Sequence, residues 1–84
     1  RCHLVLMKVS KYHVLLKWEA DDEVYTVWAP SLPGCVTFGK TVDEALEMIK
    51  DAIEGYVETL KSHGAEVPTD DDVLGCIVEI VAHA

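Results

Sequence analysis

Residues Ala29 to Ala45 read A-P-S-L-P-G-C-V-T-F-G-K-T-V-D-E-A, a Pro/Gly turn, a short strand and a helix start in one fixed order. Pro33 sets φ for a turn and Gly34 tolerates positive φ, the combination a type II turn needs. Cys35 to Phe38 alternates small or β-branched with apolar side chains, which predicts a strand. Gly39 breaks it, and Thr41 with Glu44 three residues on forms a capping box at a helix N-terminus. These residue types serve backbone shape, so the stretch reads as a fold label with no catalytic residue in it.

Working outward, Tyr12, Val14, Leu16 and Trp18 share one side of a period-two pattern, against His13, Leu15, Lys17 and Glu19. Tyr12–Glu19 is expected as a half-buried strand, Ala20–Asp22 as a turn and Glu23–Ala29 as its antiparallel partner. Downstream, Val42, Ala45, Leu46, Ile49, Ala52, Ile53, Tyr56, Val57 and Leu60 recur at spacings of three and four. That predicts one long helix to about His63, capped by Gly64, with Gly55 packed close against the sheet. Asp70–Asp72 reads as a solvated loop, and Val73–Ala82 as a last strand with apolar residues on both sides. One helix covers one sheet face, so the surplus apolar surface predicts self-association. The fold class is α+β in the order β-β-β-α-β: a three-stranded antiparallel meander, a long helix and a further strand.

At 84 residues the chain is read as a single domain, 1–84, with residues 1–11 an extension or an extra strand at Leu4–Val9. The first residue is Arg1. Apolar residues make up 50% of the chain, which argues against disorder. Cys2, Cys35 and Cys76 are odd in number and lack C-x-x-C spacing, which suits reduced thiols in the cytoplasm, with Cys35 and Cys76 packed as small apolar residues. No apolar run reaches the length of a membrane span.

The net charge of −8 is concentrated: residues 41–72 hold ten acidic side chains and two lysines, and the remainder is balanced. Such a patch disfavours phosphate binding, which depends on Lys and Arg releasing counterions, and favours a basic partner. Glu44, Glu47, Asp51, Glu54 and Glu58 fall mostly outside the helix's apolar stripe and are the candidate partner-binding residues. No metal or cofactor site is expected. The strand regions offer only Glu19, Glu23 and Glu79, too few for a two-metal nuclease centre. Cys35 has no His or Asp at a recognisable spacing for nucleophilic hydrolysis. His3, His13, His63 and His83 are scattered, and His63 suits the helix C-terminus.

The residues Pro30, Leu32, Pro33, Gly34, Cys35, Thr37, Gly39, Thr41, Glu44 and Ala45 resemble the signature of the HicB-like antitoxins, also called the UPF0150 family. The likeness runs outward from Tyr12 to about Pro68. It implies a partly degraded ribonuclease H-like fold and a partner: a small basic HicA-like toxin, itself an mRNA-cleaving ribonuclease, which the antitoxin binds and silences without being an enzyme. Many such proteins also carry a C-terminal DNA-binding module. The residues after the last expected strand leave no room for one, so no direct nucleic-acid contact is expected. The alternative is an orphan homo-oligomeric module, dimer or tetramer, without a toxin, in which Trp18 and Trp28 would serve as interface anchors or as core.

Overall fold

The computed structural model describes residues 10–82, so the strand expected at Leu4–Val9 lies outside the described residues. Strands β1 (Leu15–Glu19), β2 (Val24–Trp28) and β3 (Val36–Gly39) precede one helix, α1 (Val42–Ser62). The sheet is antiparallel in the order β1-β2-β3, with Leu16 opposite Val27 and Val27 opposite Thr37. The period-two reading of β1 holds, since Tyr12, Val14 and Leu16 all pack towards the core. The ladder itself starts only at Leu15 and β2 at Val24. Glu23 belongs to the preceding turn, where its φ of 53° gives the connection the left-handed residue that strand twist favours.

The Ala29–Ala45 stretch folds as its residue types dictate. Two successive β-turns, closed by Leu32 N–H to Ala29 O and Cys35 N–H to Leu32 O, are joined at the base by Ala29 N–H to Cys35 O. Gly34 sits at φ 82°, the positive value that the third residue of a type II turn requires. The loop points Leu32 inward, and Ala29, Leu32, Cys35 and Ala45 supply four of the six fully buried core residues, completed by Val27 and Ile49. The stretch therefore supplies most of the core.

α1 begins with Thr41 as N-cap, its hydroxyl accepting the Glu44 N–H at 3.0 Å, while Glu44 Oε1 accepts the Lys40 N–H at 2.7 Å. It ends in a Schellman motif: Ala65 N–H reaches Leu60 O, Gly64 N–H reaches Lys61 O, and Gly64 takes φ 69°. His63 Nδ1 lies 2.9 Å from Thr59 O, where a ring N–H satisfies a terminal carbonyl. The helix packs on β3 and, to a lesser degree, β2, and hardly reaches β1. Its approach to β3 is set by Gly39, where a Cβ would stand 2.5 Å from Ala45 N and 2.8 Å from Ala45 Cα.

The opposite face of the sheet is uncovered. Leu15, Trp28 and Val36 are neighbours across it, with Thr26 and Phe38 in the next row. Leu15, Val36 and Phe38 are all more than half exposed. Trp18 lies on the helix side beyond the helix's reach, tilted against Tyr25 with ring centroids 4.9 Å apart.

Four expectations need correction. Residues 73–82 form no strand within the single chain: they are extended but unpaired, because no described strand edge receives them, and the observed order is β-β-β-α. Cys76, on that segment, is exposed, whereas Cys35 is buried and its thiol pKa is pushed up by burial. Gly55 faces open space, so close packing does not explain it. Asp70 is buried rather than solvated.

Two glycine substitutions separate these environments. Gly39→Ala drives a methyl into helix backbone that cannot yield, and is expected to cost about 1–3 kcal/mol. Gly55→Ala fills solvent on a helix interior and is expected to stabilise by about 0.4–1 kcal/mol. Urea unfolding of both variants beside the parent checks the opposite signs.

Candidate partner-binding surface

Helical geometry sorts α1 into two sides. Ala45 and Ile49, with Ala52, Ile53 and Tyr56, face the sheet. Glu44, Glu47, Asp51, Glu54 and Glu58 fall within about 80° of arc on the opposite side at 3.6 residues per turn, and all five are exposed. They are not equivalent. Glu44 is committed to the cap through the Lys40 N–H. Glu47, Asp51, Glu54 and Glu58 accept no hydrogen bond and join no ion pair among the described residues, where the one ion pair is His13 with Asp70. Lys50 and Lys61 lie near the stripe without reaching a carboxylate within 4.0 Å. Four charges over about three turns are thus presented unneutralised, and like-charge repulsion along the stripe is relieved by a cationic partner or salt.

Beside this stripe an apolar groove opens between α1 and the residues that lead into β1. It has a volume of about 1100 Å³ and is walled by Tyr12 and Val14 on one side and Leu46, Ile49, Ile53 and Val57 on the other. Lys50, Glu54, Glu58 and Lys61 form its rim.

The signature residues do not meet at a reactive centre. Leu32 and Cys35 are core, Pro33 offers its carbonyl to the Tyr56 hydroxyl at 2.9 Å, Gly39 and Ala45 make the strand–helix contact, and Thr41 and Glu44 cap. Pro30, the second residue of the first β-turn, is exposed. Strands β1 to β3 carry one carboxylate among them, Glu19. Cys35 has its thiol pKa raised, the reverse of what a nucleophile needs.

Asp70 is the residue that sequence reasoning missed. Its carboxylate accepts the Ser31 hydroxyl on Oδ1 and the His13 N–H on Oδ2, at 2.8 Å for the latter, while its N–H donates to Lys11 O and its carbonyl accepts the Val73 N–H. Lys11 N–H adds a bond to Asp71 Oδ1 and the Tyr12 hydroxyl one to Pro68 O. The clamp ties the signature loop, the approach to β1 and the segment after the helix at one point. Hydrogen bonds from Ser31 and then His13 hold the Asp70 carboxyl below its ordinary pKa, outweighing the opposing effect of burial, with the nearby His13 ring adding to the lowering. Burial, reinforced by the charges of Asp71 and Asp70, raises the Tyr12 phenol. In sequence, three consecutive aspartates look alike; the available signal is the Pro68-Thr69-Asp70 turn start, since Asp favours turns by bonding nearby backbone.

A depressed native pKa means that Asp70 stabilises the fold above the unfolded-state value, about 3.9, and that this contribution is lost as pH falls through the native value. Asp70→Asn is expected to lower Tm by several degrees at both pH 7 and pH 5. The gap should close below about pH 3.9 as the parent's carboxyl protonates. Thermal unfolding by circular dichroism at pH 7, 5 and 3 checks it.

The family model described as the HicB-like antitoxin of bacterial toxin–antitoxin systems matches residues 12–79. A UPF0150 protein of Thermoplasma acidophilum is 45% identical over 74 residues, covering 88% of this chain and 99% of its own length. One from Synechocystis is 39% identical over 64 residues, covering 76% and 80%. Among solved structures, the N-terminal domain of the Burkholderia pseudomallei antitoxin HicB aligns at a TM-score of 0.59 and 32% identity, over 77% of this chain and 69% of that one. Its likeness extends to the meander and long helix described above. On sequence and fold together, the chain belongs to the HicB-like antitoxin family.

Proposed function

We propose that this chain is an antitoxin that binds and neutralises a small basic, mRNA-cleaving HicA-like toxin. The observation that carries the reading is the stripe of Glu47, Asp51, Glu54 and Glu58, exposed and unpaired on the side of α1 opposite the core. A ribonuclease must present a cationic face to its substrate backbone. A rigid line of carboxylates meets that face with complementary charge and competes with RNA for it. Neutralisation is by occlusion: the chain contributes no catalytic residue, metal or cofactor and makes no direct nucleic-acid contact. It works in the cytoplasm, as one domain, and as a homo-oligomer. Family membership supports the antitoxin role, and no described helix is long and apolar enough to cross a membrane.

A homo-oligomeric module without a toxin is the second reading, favoured by the uncovered Leu15, Val36 and Phe38 surface and the exposed apolar residues after Asp70. A neighbouring reading frame for a small basic protein, its co-purification with this chain and the loss of its RNA cleavage separate the two. In that complex, replacing Glu47, Asp51 and Glu54 together by lysine is expected to slow association by about 10- to 1000-fold at low salt and to restore RNA cleavage. Parent binding should weaken as ionic strength rises. Full inhibition by the triple variant would overturn charge mimicry.

A further inference from the structure

Residues 73–82, V-L-G-C-I-V-E-I-V-A, carry a single charge, Glu79, and apolar side chains on both sides of an extended chain. Leu74, Ile77, Val78, Ile80 and Val81 are 76–92% exposed. A strand apolar on both sides is built to be covered, and among the described residues nothing covers it. The exit from the domain is fixed by the Asp70 clamp. The His13 N–H, which a strand continuing beside β1 would use, is taken by the Asp70 carboxylate, and the Asp70 carbonyl turns back on Val73. Gly75 passes the His13 ring, where a Cβ would lie 3.3 Å from Cδ2. From Leu74 onward the arm makes no backbone hydrogen bond to any described residue.

We infer that this arm completes a second copy of the chain. It adds as a strand along that copy's free β1 edge, sending Leu74, Cys76, Val78 and Ile80 into the groove between β1 and α1 and leaving Ile77, Glu79 and Val81 on the outer face. Among the described residues β1 is an edge of the sheet, so its outward amides and carbonyls are open to a new strand. The groove lies at the N-terminal approach to that edge and is apolar where alternate residues of an added strand would enter it, against Val14, Leu46, Ile53 and Val57. Charge agrees with this placement: the arm's Glu79 falls on the same outer side as Lys17 of β1, which alternates with Leu16 on the inner side. The three exposed aliphatic side chains that face the groove, Leu74, Val78 and Ile80, offer on the order of 300 Å² of apolar surface per arm. Two arms exchanged about a twofold axis, each with its acceptor surface, reach about 1,200 Å², the lower end of a specific interface. The acidic stripe on the far side of α1 stays free.

The inference names the segment that builds the self-association proposed above, and rests on that reading for the existence of an assembly. Sedimentation of the full chain at tens of micromolar, beside Ile80→Asp, tests both. The parent is expected as a dimer or a multiple of it and Ile80→Asp as a monomer that keeps its helical circular dichroism signal, since Ile80 packs against nothing in its own domain and stands 80% exposed. A second experiment places the arm. In chains with Cys2, Cys35 and Cys76 replaced by alanine, a Lys17→Cys copy mixed with a Glu79→Cys copy should be joined by a flexible bismaleimide into a mixed dimer. A monomeric parent, including one that assembles only with a toxin, overturns the assembly and this route together. An oligomer that survives Ile80→Asp, or that yields no mixed crosslink, overturns the arm alone and leaves self-association standing.

Discussion

The fold depends on how closely α1 can approach β3, and that distance is set by a missing side chain. Gly39 lets the Ala45 backbone sit where a Cβ would collide, and Ala45, fully buried, is itself the smallest chiral residue that packs there. The strand–helix junction is therefore compact enough for Thr41 and Glu44 to close the capping box only two residues after β3 ends. A helix anchored this tightly at one edge of a twisted sheet lies over β3 and β2 and leaves the far edge bare. The groove between α1 and the approach to β1 is thus a consequence of the Gly39 contact, two strands away from it.

The opposite edge is governed by a buried carboxylate. Asp70 gathers Ser31 from the signature loop and His13 from the approach to β1, so two segments far apart in sequence are held by one side chain whose charge is worth keeping because both acceptor oxygens are satisfied. The same residue determines where the chain after the helix leaves the domain. Packing at one end of the sheet and hydrogen bonding at the other divide the labour: the first shapes the groove and the second aims the arm.

Charge is partitioned in a matching way. Acidic residues on α1 either serve local geometry, as Glu44 does at the cap, or stand unpaired along the solvent side. In a chain of net charge −8, such a stripe adds nothing to folding and costs some repulsion. The conspicuous signature, by contrast, is entirely structural: proline, glycine and threonine where φ, close approach and an orphan amide require them.

Local rules made much of this legible in sequence. The type II turn at Pro33-Gly34, the Thr41 cap, the Gly64 terminator and the side of β1 that faces inward each follow from the stereochemistry of a few adjacent residues, and the acidic stripe follows from helical period alone. Family resemblance, carried by those same residues, agreed with the fold. What adjacent residues do not contain is which of three aspartates is buried, whether Gly55 has a neighbour, or whether an apolar alternating run at Val73–Ala82 finds an edge to pair with. Those were decided in three dimensions, because each depends on what lies around the residue and not beside it in sequence: Ser31 and His13 for Asp70, empty space for Gly55, and for the arm the Asp70 clamp, which takes the His13 N–H at the approach to β1.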